Sequence, residues 1–257
     1  MSDVLVTRTR DIATVALSHP GKLNAIDTAM WHRLRTVFED LTRDTSLRCV
    51  IVQGGEGNFA AGADIEEFPA VRATMEQGIA YHEELIAPAL QAIAECLHPT
   101  VAAIDGVCIG GGLEIACACD IRIAQHGSRF GIPINRLGFP LAPRELQGLL
   151  QLVGKARTLE ILLEGRVFDA EEALAKGLLH RLAADVHSAA AEAASRIAQG
   201  APLAARANKA MARRLSPPVA PLSEQELKAA YAFLDSDDYR EGVQSFLAKR
   251  PPEFQGR

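Results

Sequence analysis

Three consecutive glycines, Gly110, Gly111 and Gly112, separate a strand pattern from a helix pattern and bring bare backbone close to something. Before them come Pro99-Thr-Val-Ala-Ala-Ile104, which reads as a strand, the turn Asp105-Gly106 and a short apolar segment. After them Leu113 to Cys119 reads as a helix, and Asp120-Ile-Arg-Ile-Ala124 returns as a strand. Glycines at a helix start let something approach N–H groups that have no partner inside the helix and lie at the positive end of its dipole.

The same alternation runs through the rest of the chain. Val4-Leu-Val-Thr7 and Ile12-Ala-Thr-Val-Ala-Leu17 read as strands, and His19 to Ile26 as a loop with turn chemistry. Asp27 is placed to cap a helix whose apolar positions are Met30, Leu34, Val37, Phe38 and Leu41. Leu47 to Val52 reads as a buried strand, and the glycine-rich stretch Gly54 to Asp64 leads into another helix. Alternating strands and helices predict an α/β fold with layered strands. The motif spacing is irregular, which argues against a solenoid of fixed repeats. The 257 residues suit one large domain with a small appendage. We place the core at 1–200 and a helical region at 201–257, where Pro217, Pro218 and Pro221 break the chain between helical patterns and no strand run follows.

Several function classes are disfavoured. The net charge of −5 and the lack of a basic stripe argue against nucleic acid as the partner. Five cysteines sit in apolar runs and read as reduced structural thiols. Cys117-Ala-Cys119 lacks a second ligand pair, so no metal is expected. The glycine run is not the G-x-G-x-x-G of dinucleotide binding. The first ten residues lack the apolar core of a signal peptide, and no later run has the length of a membrane span. A cytoplasmic enzyme without membrane contact is the expectation.

Two segments share one property, bare backbone held close to something: Ala60-Ala-Gly-Ala-Asp64 and Ile109-Gly-Gly-Gly-Leu113. Each could be no more than a close-packed turn. Two such amides aimed at one point, however, would hold an oxyanion. With His19-Pro-Gly-Lys-Leu-Asn-Ala25, Phe59 to Ile65, Val101 to Ala116, Cys119-Asp120, Phe130-Gly131, Gly165-Arg166 and Asp237 to Gly242, the chain resembles the enoyl-CoA hydratase/isomerase (crotonase) family nearly end to end. That resemblance implies a spiral of ββα units, a C-terminal helical trimerisation region, and a homotrimer or hexamer. It also implies an acyl-CoA thioester, whose enolate-like oxygen is held by the amides of Ala63 and Gly111. Coenzyme A enters as part of the substrate, and no separate cofactor is expected.

Glu114 falls in the first turn of the glycine-led helix, where it can serve as acid or base or complement the dipole. Hydratases of the family carry a second glutamate in a Phe-Gly-x-Pro-Glu pattern. This chain has Phe130-Gly-Ile-Pro-Ile134, and Ile134 can neither give nor take a proton. Family members continue with a glycine-rich turn where this chain has Leu141-Ala-Pro-Arg-Glu145. Arg144 and Glu145 are therefore candidates for substrate contact or a replacement acid, the alternative being a helix start with Pro143 at its first position. Asp64 reads as an N-cap. Two family lysines near the adenosine phosphates are replaced by Gly57 and Glu66, which leaves Lys22 and, from a neighbouring subunit, Lys249. Leu23, Ala25, Ala61, Ile65, Ile134 and Phe246 complete the expected CoA and acyl contacts. Tyr81 and His82 fall on a helix beside the acyl pocket, in partly buried structural roles. The expected activity is hydratase-type. A one-acid reaction of the family (isomerisation, decarboxylation or thioester hydrolysis) and a catalytically weak CoA-binding scaffold are the alternatives.

Overall fold

A computed structural model describes residues 1–216 and 222–255, so Pro217, Pro218 and Pro221 lie outside the described residues. The chain opens with the antiparallel pair β1 (Asp3–Thr9) and β2 (Ile12–Ser18). Parallel strands β3 (Cys49–Gly54), β4 (Thr100–Ile104), β6 (Ile121–Gln125) and β9 (Arg181–Ala183) extend the sheet in the order β1-β2-β3-β4-β6-β9. A smaller sheet holds β5 (Val107–Ile109), β7 (Arg129–Gly131) and β8 (Phe168–Asp169). Isolated parallel bridges, Ile26 with Ala63 and Ala60 with Cys108, continue its line. Successive units thus give one strand to the large sheet and a short second segment to the small one, then turn into a helix. This is the spiral of ββα units that the resemblance implied.

The helices follow from local signals. In α1 (Thr28–Arg43) the Asp27 side chain accepts from Met30 N–H at 2.8 Å, and Met30, Trp31, Leu34, Val37 and Phe38 are buried at helical spacing. Then come α2 (Phe68–Val71), α3 (Met75–Ile79), a π-helical run Ala80–Ile86, α4 (Ala87–Ala94) and α5 (Gly111–Ala118). After them lie α6 (Pro143–Glu164), α7 (Ala170–Ala175) and α8 (Val186–Gln199). The large core fills the space between the sheet and α1, α4 and α5, whereas α8 covers Cys49, Ile51, Val101, Ala103 and Ile123 on the opposite face. With both faces covered, the central strands carry continuous apolar runs.

Two boundaries move from their expected places. β3 begins at Cys49 rather than Leu47, because Leu47 N–H is taken by the Asp44 carbonyl in a turn. The helix expected from Leu113 begins at Gly111, so Gly111 and Gly112 belong to its first turn. The C-terminal segment is helical: α9 (Pro202–Leu215), α10 (Glu224–Tyr231), a 3₁₀ turn Ala232–Asp235 and α11 (Asp237–Leu247). α9 buries none of its residues in this chain, while Tyr231, Leu234, Tyr239 and Val243 return to the main core. No helix among the described residues is long and apolar enough to cross a membrane. All five thiols are unpaired, and only Cys117 is less than buried.

Candidate active site

The turn after β3 is tied to the loop before α1. Ile26 N–H donates to the Gly62 carbonyl at 2.8 Å, and Asp64 N–H donates to the Ile26 carbonyl at 2.9 Å. Residues 62 and 64 therefore face Ile26, which turns the intervening Ala63 N–H the other way, where no acceptor lies among the described residues. On the facing segment, Gly110 takes φ +50° and caps α5. Gly111 N–H, in the first turn, has no partner within the helix.

These two segments touch through backbone. A Cβ on Gly111 would lie 3.7 Å from Ala63 N and 3.0 Å from Trp31 Cζ2, and one on Gly112 would lie 2.5 Å from the Ala60 carbonyl oxygen. At residue 112 only glycine permits that approach. Two unpartnered N–H groups are thus side by side at the positive end of a helix, an arrangement suited to one anionic oxygen.

Glu114 leaves the first turn of α5 and is buried, as is Glu145 in the first turn of α6. Both line a cavity of about 580 Å³ between α4, α5 and α6, together with Cys117, Arg144 and Gly148. Burial pushes the Glu114 carboxyl well above its usual range, the charge of Glu145 adds to this, and Arg72 opposes it. Glu145 is pushed up to about 8 by burial, again opposed by Arg72. His82 Nδ1 lies 2.6 Å from Glu145 Oε1, and burial holds the imidazole well below its ordinary value. Uncharged imidazole and protonated carboxyl is the state that burial favours near neutrality.

Other expected residues sort clearly. Asp64 caps the turn Ile65–Glu67 and accepts from Lys22 Nζ at 2.7 Å. Lys22 also donates to Glu66 at 2.8 Å, and the two carboxylates raise its pKa. Leu23 is exposed at φ +48°, while Ala25, Ala61 and Ile65 line the loop faces beside it, half-buried. Ile134 opens a 3₁₀ turn, Ile134–Leu137, half-buried against the main core. The Arg144 guanidinium is spent on the rim, donating to Gln91 Oε1 at 2.8 Å and to the Glu83 carbonyl at 3.3 Å. Phe246 and Lys249 are exposed at the end of α11, which packs on the 134–137 turn. The expected partial burial of Tyr81 and His82 is corrected: both are buried, because Glu145 of α6 and Tyr231 of the C-terminal segment pack on this face of the π-helical run. Sequence reasoning missed Arg72 altogether and missed the contact between His82 and Glu145.

The sequence pattern of enoyl-CoA hydratase/isomerase matches residues 7–257. The chain belongs to the enoyl-CoA hydratase/isomerase family. Within the family, the 2,3-dehydroadipyl-CoA hydratase of Escherichia coli (strain K12) is 32% identical over 266 residues, covering 100% of both chains. The crystal structure of an enoyl-CoA hydratase/carnithine racemase from Magnetospirillum magneticum superimposes with a TM-score of 0.82 at 45% identity, covering 99% of this chain and 96% of that one. Methylmalonyl-CoA decarboxylase complexed with 2S-carboxypropyl CoA gives a TM-score of 0.87 at 27% identity, with 99% and 98% covered. The family thus holds hydratases and a decarboxylase on one scaffold.

Proposed function

We propose that this family member is a hydratase-type lyase that adds water across the double bond of an enoyl-CoA, with Glu114 and Glu145 as its acid–base pair. The observation that carries the reading is the pair of buried carboxyl groups lining one cavity, one of them, Glu114, in the helix turn that Gly111 opens against Ala63. In the reaction, one group is ionised and takes a proton from water as the water oxygen bonds to the β-carbon. The double-bond electrons move onto the thioester oxygen, which accepts hydrogen bonds from Ala63 N–H and Gly111 N–H. The other group gives its proton to the α-carbon. A donor of this kind is typically worth ~2.7–4 kcal/mol in the transition state. The step needs no metal or redox cofactor, and coenzyme A arrives with the substrate. Lys22, Leu23, Ala25, Ala61 and Ile65 form the CoA side of the site, with Phe246 and Lys249 supplied by a neighbouring subunit of a homotrimer or hexamer.

Glu145 here takes the part that the family hydratases give to a glutamate at the place of Ile134. The half-buried isoleucine favours a second reading, in which Glu114 alone moves a proton during isomerisation or decarboxylation. Turnover of 2-enoyl-, 3-enoyl- and malonyl-type CoA thioesters separates the two. Glu114→Gln should lower the rate by at least ~10²-fold under either reading, the usual size of a positioned acid or base. Glu145→Gln should do so under the first alone. No turnover of any thioester, with CoA still bound, would mark a scaffold.

A further inference from the structure

Arg72 follows α2 and is only 2% exposed. Its guanidinium carbon lies 4.3 Å from the ring centre of Phe68 and 4.4 Å from that of Phe139, with Tyr239 at 5.3 Å, Tyr81 at 5.7 Å and Phe233 at 5.8 Å. Aromatic faces stabilise the charge of the cation. They do nothing for N–H groups directed along the plane. Nε and Nη2 are both buried and both without a hydrogen-bond partner. These two donors form one edge of the guanidinium, the fork that grips a planar carboxylate through two parallel hydrogen bonds. A buried charge with such an edge unsatisfied is costly unless a partner arrives.

The surroundings tie this cage to the reaction site. Ala63 lies five residues before Phe68, at the other end of the same short connection. Tyr81 walls the cage, and its neighbour His82 is bonded to Glu145. Phe139, also against the guanidinium, leads into the turn that carries Glu145. The positive charge acts on Glu145 and Glu114 without bonding to either. The Glu145 oxygen that makes a hydrogen bond is turned to His82 instead.

We propose that the Arg72 edge binds a carboxylate at the far end of the acyl group, so that the preferred substrate is the CoA thioester of a dicarboxylic acid. This rests on the acyl-CoA reading of the site and narrows it. The aromatic rings hold the cation in place, and the polar edge recognises the acid. A neutral acyl chain of equal length would leave both donors desolvated and unpaired.

The test measures binding, so that it does not depend on turnover. Adipyl-CoA and hexanoyl-CoA, which have equal chain lengths, are titrated into the full-length protein by calorimetry, with free CoA as reference. Adipyl-CoA should bind tighter than hexanoyl-CoA by roughly 10- to 100-fold, as expected for a charge-assisted bidentate contact. Arg72→Lys, which keeps the charge but loses the fork, should collapse that ratio toward one. Equal affinities for the two thioesters in the wild type would overturn the proposal, even if every variant failed to fold. An unchanged ratio in a folded Arg72→Lys variant would also overturn it and leave the cage as packing for the C-terminal segment. Excess free acetate that tightens hexanoyl-CoA binding to the adipyl level would assign the fork to a separate anion and refute the substrate role. A clear preference for adipyl-CoA without turnover of any enoyl-CoA would sink the hydratase reading alone, whereas failure to bind any CoA thioester would sink both.

Discussion

Replacing Glu145 by glutamine should change how the stability of this protein depends on pH, by an amount that burial sets. In the folded chain the Glu145 carboxyl is held at about 8, against 4.5 without the fold. Between those values the unfolded chain has released the proton while the folded chain still holds it. Stability is therefore fullest below about 4.5 and falls as pH rises through this window, by about 1.36 kcal/mol per unit. From about pH 5.5 to about pH 7.5 the wild type should lose on the order of 2–3 kcal/mol through this group. Glutamine has nearly the same shape, can keep a hydrogen bond to His82, and has no charge to desolvate. The stability difference between Glu145→Gln and wild type should accordingly grow by on the order of 2–3 kcal/mol over that range, or roughly 5–10 °C in Tm for a chain of this size. Glu114 is shifted in the same direction, and the Glu145 charge adds to its shift, so the variant also eases the ionisation of Glu114 and the measured difference belongs to the pair. Calorimetric or urea unfolding at three pH values gives the slope. A difference that stays constant across the range would show that the carboxyl ionises freely in the fold, and the burial argument would fail.

Three further outcomes follow from the same geometry. Ile134→Glu should raise crotonyl-CoA hydration by ~10-fold or more if a carboxylate is still wanting on that side; fast hydration by the wild type would show that Glu145 already supplies it. Gly112→Ala places a Cβ 2.5 Å from the Ala60 carbonyl oxygen, so the two backbone segments must separate. The turnover rate should fall on the order of 10²-fold, the usual effect of a misplacement of about 1 Å, and a rate within a factor of two of wild type would refute the close-approach argument. Sedimentation should give a multiple of three chains, because Leu203, Met211 and Leu215 of α9 are exposed in one chain; a monomer at micromolar concentration would refute it.

Most of the fold was legible because its signals are local. The Asp27 cap, the apolar spacing of α1 and the glycine entry to α5 are each written within a few residues. Ala63 and Gly111 could be paired only through the family resemblance, since nothing local to residues 60–64 says that residues 109–112 lie against them. Glu145 was legible as a candidate but not as a buried acid. At the third position of a helix that starts with Pro143, a glutamate reads equally well as a solvated partner of the dipole. Packing against His82 and its neighbours, which are far off in sequence, removes it from water. Arg72 was not legible, because Phe68-Pro-Ala-Val-Arg72 looks like an ordinary helix end and its cage draws on rings as far along the chain as Tyr239.

The π-helical run explains why helical spacing alone fails at this site. Tyr81, His82 and Glu83 are consecutive, yet each serves a different neighbour. Tyr81 walls the Arg72 cage, His82 meets Glu145, and Glu83 accepts from Tyr231 Oη at 2.8 Å and lies 3.6 Å from Arg144. Consecutive side chains on a helix point about 100° apart, so three with buried or half-buried partners require protein on most sides of the segment. A segment packed in that way keeps only a narrow solvent face at Glu84, and the amphipathic pattern that identifies surface helices is blurred. The wide turn also sets the register of α4, which follows without a break. A one-residue deletion that restored α-helical pitch would rotate all three contacts together. Such a change would be expected to release Glu145 and loosen the Arg72 cage at once, which no single side-chain substitution in the run could do.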